Sequence, residues 1–360
     1  MGNNKIKGFT ALILIIFLLF IMEVNIMEAE KNLLIENNKE QWKKILTEPE
    51  YRVLVNKGTE KPFDNQYYYH KEKGIYTCAA CNNILFNSEE KFESGSGWPS
   101  FKDVISEKAV GTRKDNSQGM NRTEVFCNRC GGHLGHLFED GPEPTGLRYC
   151  INSTSLNFLK EAYFALGCFW KPDALFGSLD GVYFTEVGYA GGEMNNPTYQ
   201  NLGKHSETVK VVYDPEVINF EKLLETFGNN HELNSRSYSS QYKSIIFYNS
   251  QKQKNAAQKY LQSQKEKMNK NIYTEVTELD NFYQAETYHQ KYNLRQNNDI
   301  FEKIKNIFPV EIDLTDYRIM TKLNAYSGSY INREEIKNEL KNSWIYIKYQ
   351  EEIKNIIDNL

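Results

Sequence analysis

The segments Arg148-Tyr149-Cys150-Ile151-Asn152-Ser153 and Gly167-Cys168-Phe169-Trp170 decide the fold of this chain. Each contains one cysteine at the end of a strand-like run, and the two cysteines are only eighteen residues apart. The sequence pattern before the first segment differs from the pattern after the second. We therefore expect a multidomain protein, in which two domains of different class are joined by a short linker.

The two halves differ in their hydrophobic periodicity. Between Tyr51 and Phe158 the chain is rich in Gly, Asn and Tyr and has short apolar alternations without a long helical period, which predicts an all-β domain. After Glu161 strand patterns alternate with helix patterns, which predicts an α/β or α+β domain. The predicted strands are Ala162–Leu166, Glu207–Tyr213 and Lys243–Tyr248, and the predicted helices are Pro172–Phe176, Phe220–Phe227 and Gln251–Met268.

The length of the chain fits this division, because 360 residues suffice for two domains that each bury a core. We predict a first domain over 36–158, a second over 160–309, and a helical C-terminal extension over 310–360. In the extension, Ile336, Leu340, Trp344 and Ile347 recur at helical spacing. This spacing predicts one face of a helix that packs on the preceding domain.

The N-terminus has the pattern of a targeting segment. An apolar run from Phe9 to Met22 follows Lys5 and Lys7, and its length is typical of a signal-peptide core and short for a spanning helix. We expect residues 1–30 to be a signal peptide or membrane anchor, and the protein to be extracytoplasmic, membrane-anchored or secreted. A buried core helix is the weaker alternative, because positive charge precedes the run.

Charge excludes one class of partner. The formal net charge is −4 and no dense basic run lies outside the N-terminus, so the sequence predicts no nucleic-acid binding.

Four of the six cysteines form two Cys-x-x-Cys pairs, Cys78 with Cys81 and Cys127 with Cys130. Two such pairs supply the four thiolates of a closed tetrahedral zinc site, which stabilises a fold and leaves no open position for catalysis. The alternative is two disulfides in an exported protein. Cys150 and Cys168 remain as single cysteines available for chemistry.

The first half resembles methionine sulfoxide reductase B from about Leu46 to Phe158. The resemblance rests on residues 94–101 (SGSGWPSF), 132–138 (GHLGHLF) and 146–153 (GLRYCINS). It implies a zinc-stabilised β-sandwich in which Cys150 is the nucleophile and Trp98 receives the substrate methyl group. His136 and Asn152 match residues placed around the nucleophile and the sulfoxide, and Arg148 is expected to hold the thiolate by its charge.

The second half resembles methionine sulfoxide reductase A from about Ala162 to Asn297. The matching motifs are residues 167–170 (GCFW), 187–192 (VGYAGG), 196–199 (NPTY), 205–209 (HSETV) and 285–290 (AETYHQ). The resemblance implies a ferredoxin-like α+β fold. It makes Cys168 the nucleophile, with its thiol pKa expected to be lowered at the start of a helix.

The same resemblance assigns the other residues of the second site. Phe169 and Trp170 match the apolar cage for the substrate methyl group, and Tyr199 and Tyr242 match phenols that donate to the sulfoxide oxygen. Glu207 matches a carboxyl that burial keeps protonated. By its period alone Glu207 is equally well an outward residue of a strand.

Three departures from these families concern the chemistry. Ser96 stands where many members of the first family have a cysteine that resolves the sulfenic acid into a disulfide. Ser237 stands where most members of the second family have an aspartate, and no cysteine follows Cys168.

The leading hypothesis is a bifunctional enzyme that reduces both epimers of methionine sulfoxide through cysteine sulfenic acids. Its expected partners are oxidised proteins or peptides and an external thiol reductant such as a thioredoxin-like protein. One alternative is a zinc-stabilised binding module whose second half has decayed. Another is a general disulfide oxidoreductase that uses its Cys-x-x-Cys pairs.

Overall fold

A computed structural model of the chain describes Ile35, residues 38–307, Leu314 and residues 318–360. The predicted targeting segment at residues 1–30 lies outside the described residues. Within them, no helix is both long and apolar enough to cross a membrane.

The described chain divides into two compact units. The first comprises the described residues up to His70, Cys78–Cys81 and Glu90–Leu156, and the second comprises Lys71–Thr77, Asn82–Glu89 and the described residues from Asn157 onward.

Two short helices open the first unit. Helix α1 spans Lys39–Ile45 and helix α2 spans Glu48–Leu54. Thr47 begins α2 with a capping box, in which its backbone N–H donates to the Glu50 carboxylate at 2.7 Å. Trp42 of α1 is fully buried.

A six-stranded antiparallel sheet forms the centre of the first unit, which confirms the prediction of a β-rich domain. Its strand order is β3-β4-β8-β7-β6-β5. The strands are β3 (Lys91–Phe92), β4 (Ser100–Phe101), β5 (Val110–Asp115), β6 (Arg122–Cys127), β7 (His133–Phe138) and β8 (Arg148–Ile151). Before them, β1 (Ile75–Cys78) and β2 (Ile84–Asn87) pair as an antiparallel hairpin.

The second unit is built on a mixed sheet that contains the predicted ferredoxin-like arrangement. Along the chain, strand β9, helix α3, strands β10 and β11, helix α4 and strand β12 follow one another, and in the sheet the strand order is β12-β9-β11-β10. All three of these pairings are antiparallel. The bounds are β9 (Leu156–Leu166), α3 (Trp170–Gly177), β10 (Val182–Ala190), β11 (Ser206–Tyr213), α4 (Phe220–Asn229) and β12 (Ser244–Tyr248).

Further elements extend this sheet at both edges. Helix α5 (Gln251–Met268) leads to β13 (Glu275–Glu278), which runs parallel to β12, and β14 (Phe282–Gln284) pairs with β10. The core between the sheet and the helices is aromatic: the Phe164 and Phe176 rings stack at 5.0 Å, and Phe227 lies 5.4 Å from Phe164.

The predicted elements of the second half are all present; the helix Gln251–Met268 has the predicted ends, and the other elements have shifted ends. Strand β9 begins before Ala162, because residues 156–161 continue its burial pattern. Helix α3 begins at Trp170 and includes Pro172 in its first turn, where a missing N–H costs no helical hydrogen bond.

The C-terminal extension is helical, as predicted, but its apolar residues do not lie on one helix. After α6 (Tyr292–Gln296) and α7 (Asn298–Ile307) come α8 (Arg318–Ser327), α9 (Arg333–Lys341), α10 (Trp344–Lys348) and α11 (Gln350–Asp358). Ile336 and Leu340 are on α9, whereas Trp344 and Ile347 are on α10. The Ser343 side chain accepts from the Tyr346 N–H and begins a new helix, so the prediction of a single helix face is wrong.

Candidate active sites and metal centre

The four paired cysteines come together in one buried cluster. The sulfur atoms of Cys78, Cys81, Cys127 and Cys130 all lie within 4.8 Å of one another. Two of the separations are 3.8 Å, between Cys78 and Cys130, and 3.5 Å, between Cys81 and Cys127. A tetrahedral zinc with Zn–S bonds of about 2.3 Å requires sulfur atoms about 3.8 Å apart, and a disulfide requires about 2.05 Å. The cluster therefore fits a structural zinc ion, which all four thiolates would hold, and it does not form the two alternative disulfides.

Cys150 lies in a row of polar residues that crosses the first sheet. It pairs with Ser100 on β4 and with His136 on β7, and His136 pairs in turn with Glu124 on β6. Residues paired directly across strands share one face of a sheet. Gly135 permits this packing, because a Cβ atom there would lie 2.0 Å from the Cys150 carbonyl oxygen.

Hydroxyl groups surround the Cys150 sulfur on one side. The Ser96 Oγ lies 3.7 Å from the Cys150 Sγ, and it also lies 2.8 Å from the Ser94 Oγ. The Trp98 N–H donates to the Ser96 Oγ at 3.4 Å, so Ser96 connects Trp98 to the nucleophile. Ser96 thus occupies the position next to the sulfur that a resolving cysteine would need.

His136 is fixed by an acid that the sequence analysis did not identify. Its Nε2 lies 2.8 Å from the Asp115 Oδ2. Hydrogen bonds from Ser117 and His136 hold the pKa of Asp115 well below its usual value, so the Nε2 carries the proton. Burial lowers the pKa of His136 although Asp115 opposes it. Strand pairing brings this acid to His136, and no local motif signals it.

His133, which alone would be a satisfied structural histidine, hydrogen-bonds to the Glu124 carboxylate of a buried Arg113–Glu124 ion pair. Its Nδ1 lies 2.9 Å from the Glu124 Oε1, and Arg113 donates to the Glu124 Oε2 at 2.7 Å. Burial raises the pKa of Glu124, but the hydrogen bonds from His133 and Arg113 outweigh burial and hold that pKa well below its ordinary range.

Glu60 is a second residue that sequence reasoning missed. Its carbonyl oxygen accepts from the Trp98 Nε1 at 3.1 Å, and its N–H donates to the Asn152 Oδ1 at 3.1 Å. Its carboxylate accepts from the backbone N–H groups of Ser153 and Thr154. Asn152 also donates to the Leu134 carbonyl oxygen at 2.9 Å, so it braces the segment that follows Cys150.

The Cys150 thiol is less acidic than the sequence suggested. Arg148 makes a two-point ion pair with Asp140, at 2.7 and 2.9 Å. Burial raises the pKa of Cys150, and the Ser96 hydrogen bond and the Arg148 charge offset only part of that rise. The Arg148 charge therefore acts in the expected direction on the pKa of Cys150, but desolvation is the larger effect.

Cys168 lies in a sharp turn between β9 and α3. Gly167 makes this turn with a φ of 87°, a left-handed conformation that glycine adopts without strain. Cys168 is exposed as a residue, but its thiol is partly desolvated, which raises its pKa although the Trp170 N–H donates to the sulfur and opposes that rise. The expected lowering by the helix start is thus outweighed by desolvation.

Glu207 on β11 is buried and lies beside the nucleophile. Its carboxyl accepts from the Phe169 N–H at 3.0 Å and from the Gln241 Nε2 at 2.6 Å. Burial raises the pKa of Glu207 above its ordinary value despite both hydrogen bonds. This carboxyl is therefore not the outward residue that its strand period alone would allow.

Four aromatic residues complete the second site: Tyr199, Tyr242, Phe169 and Trp170. Tyr199 and Tyr242 are exposed and hydrogen-bonded to each other, and burial together with the charge of Glu207 raises the pKa of Tyr242 to about 12. Phe169 is buried beside Tyr189, at a ring distance of 6.0 Å. The Trp170 Nε1 donates to the His289 Nδ1 at 3.2 Å.

Glu286, to which the sequence analysis assigned no role, positions Tyr199 and Tyr189 in the second site. Its carboxylate accepts from the Tyr199 N–H at 2.9 Å and from the Tyr189 hydroxyl at 2.7 Å. The exposed Ser237 does not replace the missing aspartate, because its hydroxyl donates to the Ser239 carbonyl oxygen.

Comparison with known proteins identifies both halves. Residues 46–160 match the SelR domain, and residues 160–312 match the family described as peptide methionine sulfoxide reductase. The peptide methionine sulfoxide reductase MsrB of Methanosarcina mazei is 65% identical over 127 residues, which cover 35% of this chain and 91% of the relative. The chain belongs to the methionine sulfoxide reductases.

The chain is also similar to a mouse protein and to a solved bacterial structure. The mitochondrial methionine-R-sulfoxide reductase B3 of Mus musculus is 52% identical over 129 residues, which cover 36% of this chain and 51% of the mouse protein. Among solved structures, methionine sulfoxide reductase A of Corynebacterium diphtheriae is 30% identical, with a TM-score of 0.37. The match covers 39% of this chain and 75% of the bacterial chain.

This reductase therefore combines two activities in one chain. The first half reduces the R epimer of methionine sulfoxide and the second half reduces the S epimer. The reaction is thiol-dependent and repairs oxidised methionine.

Proposed function

We propose that Cys150 reduces the R sulfoxide and Cys168 the S sulfoxide, each with its own proton donor and aromatic wall. In each reaction the sulfur of the cysteine attacks the sulfoxide sulfur, the S–O bond breaks, and the oxygen passes to the cysteine. Methionine leaves and a cysteine sulfenic acid remains, so atoms and electrons balance. The proposal depends on one observation: Cys150 and Cys168 each lie beside a candidate proton donor and an aromatic side chain within their own unit.

In the first site, His136 is the proton donor and Trp98 the wall for the substrate methyl group. Asp115 holds the protonated Nε2 of His136 at 2.8 Å, which leaves the unprotonated Nδ1 to accept the Cys150 thiol proton and deliver it to the sulfoxide oxygen. The Arg148 charge, which lowers the pKa of Cys150, stabilises the thiolate once it forms. Asn152 holds the loop beside the nucleophile and so places it.

In the second site, Glu207 is the proton donor. Its raised pKa favours the protonated carboxyl, which both binds the sulfoxide oxygen and protonates it as the S–O bond breaks. Tyr199 and Tyr242 donate further hydrogen bonds to that oxygen. Phe169 and Trp170 enclose the methyl group.

Each sulfenic acid is proposed to react directly with an external thiol. Ser96 places a hydroxyl, which cannot form a disulfide, 3.7 Å from the Cys150 sulfur. No cysteine follows Cys168 in the sequence, and the other four form the metal cluster. A thioredoxin-like reductant would form a mixed disulfide with release of water, and its second thiol would release the reduced enzyme.

Substrate access favours oxidised side chains in proteins or peptides. Cys168, Tyr199 and Tyr242 are exposed, so a sulfoxide that remains attached to a polypeptide reaches the nucleophile without entering a closed cavity.

We also propose that the enzyme acts outside the cytoplasm, from the apolar run Phe9–Met22 behind Lys5 and Lys7. Fractionation of the host tests this proposal. Recovery of the full-length chain in the membrane or exported fraction supports it, and recovery in the cytosolic fraction contradicts it.

Two serine variants test the division of labour between the cysteines. We expect Cys150→Ser to abolish turnover of the pure R sulfoxide and to preserve that of the S form, and Cys168→Ser to give the reverse. Each variant is the folding control for the other, because the two activities share one chain. A folded single variant that loses both activities contradicts the proposal.

A further inference from the structure

The C-terminal extension buries polar side chains within the second unit. Residues 318–360 lie beyond the matched family region, which ends at residue 312. On α8, Thr321, Lys322 and Asn324 are all buried although they are polar. Buried polar groups need hydrogen-bond partners, and the partners of Asn324 lead toward the S-sulfoxide site.

Asn324 joins two helices of the catalytic domain. Its Nδ2 donates to the Asp173 Oδ2 at 3.0 Å, in the first turn of α3. Its Oδ1 accepts from the Leu294 N–H at 3.0 Å, in α6. The residue is completely buried, so water does not replace either bond.

Asp173 is itself half of a buried ion pair. Its Oδ1 lies 2.8 Å from the Lys291 Nζ, and its Oδ2 accepts from the Lys291 N–H at 3.1 Å. The same ammonium group donates to the Thr185 Oγ1 at 2.9 Å. A buried ion pair tolerates the loss of a hydrogen-bond donor poorly, since its charges have no solvent to replace that donor.

This ion pair connects the two sides of the apolar cage. Trp170 is in the same first turn of α3 as Asp173, and His289 and Tyr292 flank Lys291. The Trp170 ring stacks on Tyr292 at 3.7 Å with an interplanar angle of 3°, and its Nε1 donates to the His289 Nδ1. A shift of α3 against α6 would therefore change the cage geometry.

We propose that Asn324 is a positioning residue for the S-sulfoxide site, which holds the Asp173–Lys291 pair so that Trp170 stays against His289 and Tyr292. The C-terminal extension is then a working part of the second active site. The proposal rests on the proposed role of Trp170 as the wall of that site.

The test is steady-state kinetics of the full chain with each pure epimer. Asn324→Asp keeps the size of the side chain and its acceptor for Leu294, but it no longer donates to Asp173 and adds a charge. We expect its KM for the S sulfoxide to rise on the order of tenfold or more, because misplacement by about 1 Å costs up to a hundredfold. Both constants for the R sulfoxide should stay unchanged.

KM distinguishes positioning from loss of folded enzyme. A variant that merely unfolds in part has a lower apparent kcat with an unchanged KM, since the remaining molecules are normal. The matched control is Asn338→Asp, the same change at an exposed position of α9, and it should leave all four constants unchanged.

Asn324→Ala is the second variant, in case the added charge prevents folding, and we expect a smaller rise of the same KM. The proposal is overturned if a folded Asn324 variant keeps the wild-type KM for the S sulfoxide, or if its KM for the R sulfoxide rises equally. Failure of the proposed function would appear separately, as S reduction that survives Cys168→Ser.

Discussion

Cys150 lies on a strand beside a row of charged side chains, whereas Cys168 lies in a glycine turn beside the Glu207 carboxyl, whose pKa burial raises. Around Cys150, Asp115 and Glu124 have lowered pKa values and pair with imidazole or guanidinium groups. Around Cys168, the pKa values of Glu207 and Tyr242 are raised. The same reaction is therefore surrounded by ion pairs in one unit, and in the other by groups whose protonated forms burial favours.

The two sites agree in one respect, which is that burial raises the pKa of both nucleophiles. Burial thus favours the protonated thiol in both resting sites. In both sites a nearby donor offsets part of the rise, either the Arg148 charge or the Trp170 N–H. We therefore expect thiolate formation to be coupled to substrate binding or to proton transfer in each half.

The largest expected effect is the loss of a zinc ligand, which should affect the first unit and leave the second unit unchanged. Cys127→Ser removes one zinc ligand, and because the binding energy of a structural zinc is folding energy, the first unit should unfold. We expect complete loss of R reduction, zinc content below a half-equivalent, and nearly normal S reduction. The control is Cys150→Ser, which should keep the zinc. Full R activity without bound metal would contradict the structural role of the cluster.

The next prediction concerns Glu207 as the proton donor of the second site. Glu207→Gln keeps the shape and a hydrogen-bond donor but cannot release a proton. We expect kcat for the S sulfoxide to fall by about 10²- to 10⁴-fold, the range for general acid catalysis, with R reduction unchanged. The exposed Glu216→Gln is the matched control. An S activity within threefold of wild type, measured with the pure epimer, would exclude Glu207 as the proton donor.

A smaller effect concerns recycling at the first site. Ser96→Cys restores a thiol next to Cys150, where the Ser96 Oγ now lies 3.7 Å from the sulfur. After one turnover of the R sulfoxide without reductant, we expect a disulfide between residues 96 and 150 in this variant and a sulfenic acid in the wild type. Peptide mapping distinguishes them. Continued accumulation of sulfenic acid would show that proximity alone does not allow resolution.

The smallest effect is the pH dependence of stability. The folded pKa of Glu124 lies below its ordinary value of 4.5, so its contribution to stability is complete above pH 4.5 and is lost as the pH falls below that value. Glu124→Gln should flatten the loss of thermal stability of the first unit between pH 4.5 and acid. Melting followed by R activity measures this, and an unchanged acid slope would mean that other groups dominate.

Sequence patterns predicted the class of both folds because the hydrophobic periods of strands and helices differ. They predicted the metal site because two thiolates separated by two residues can bind the same ion. They did not predict Asp115 or Glu60, since each reaches its site from a distant part of the chain through tertiary pairing. They assigned no role to Glu286 although it lies in the matching motif 285–290. They also gave the wrong direction for the pKa of Cys168, because the motif shows the helix start but not how much of the thiol is buried.

The central claim is that one chain contains two independent sites with one epimer each, and a single-turnover experiment on the wild-type protein tests it most directly. The full chain is mixed with one equivalent of a pure epimer without reductant, quenched, trapped with a sulfenic-acid reagent and mapped by mass spectrometry. We expect the R sulfoxide to leave one oxygen on Cys150 and the S sulfoxide to leave one oxygen on Cys168. The same cysteine oxidised by both epimers, or a dominant disulfide between Cys150 and Cys168, would contradict the account.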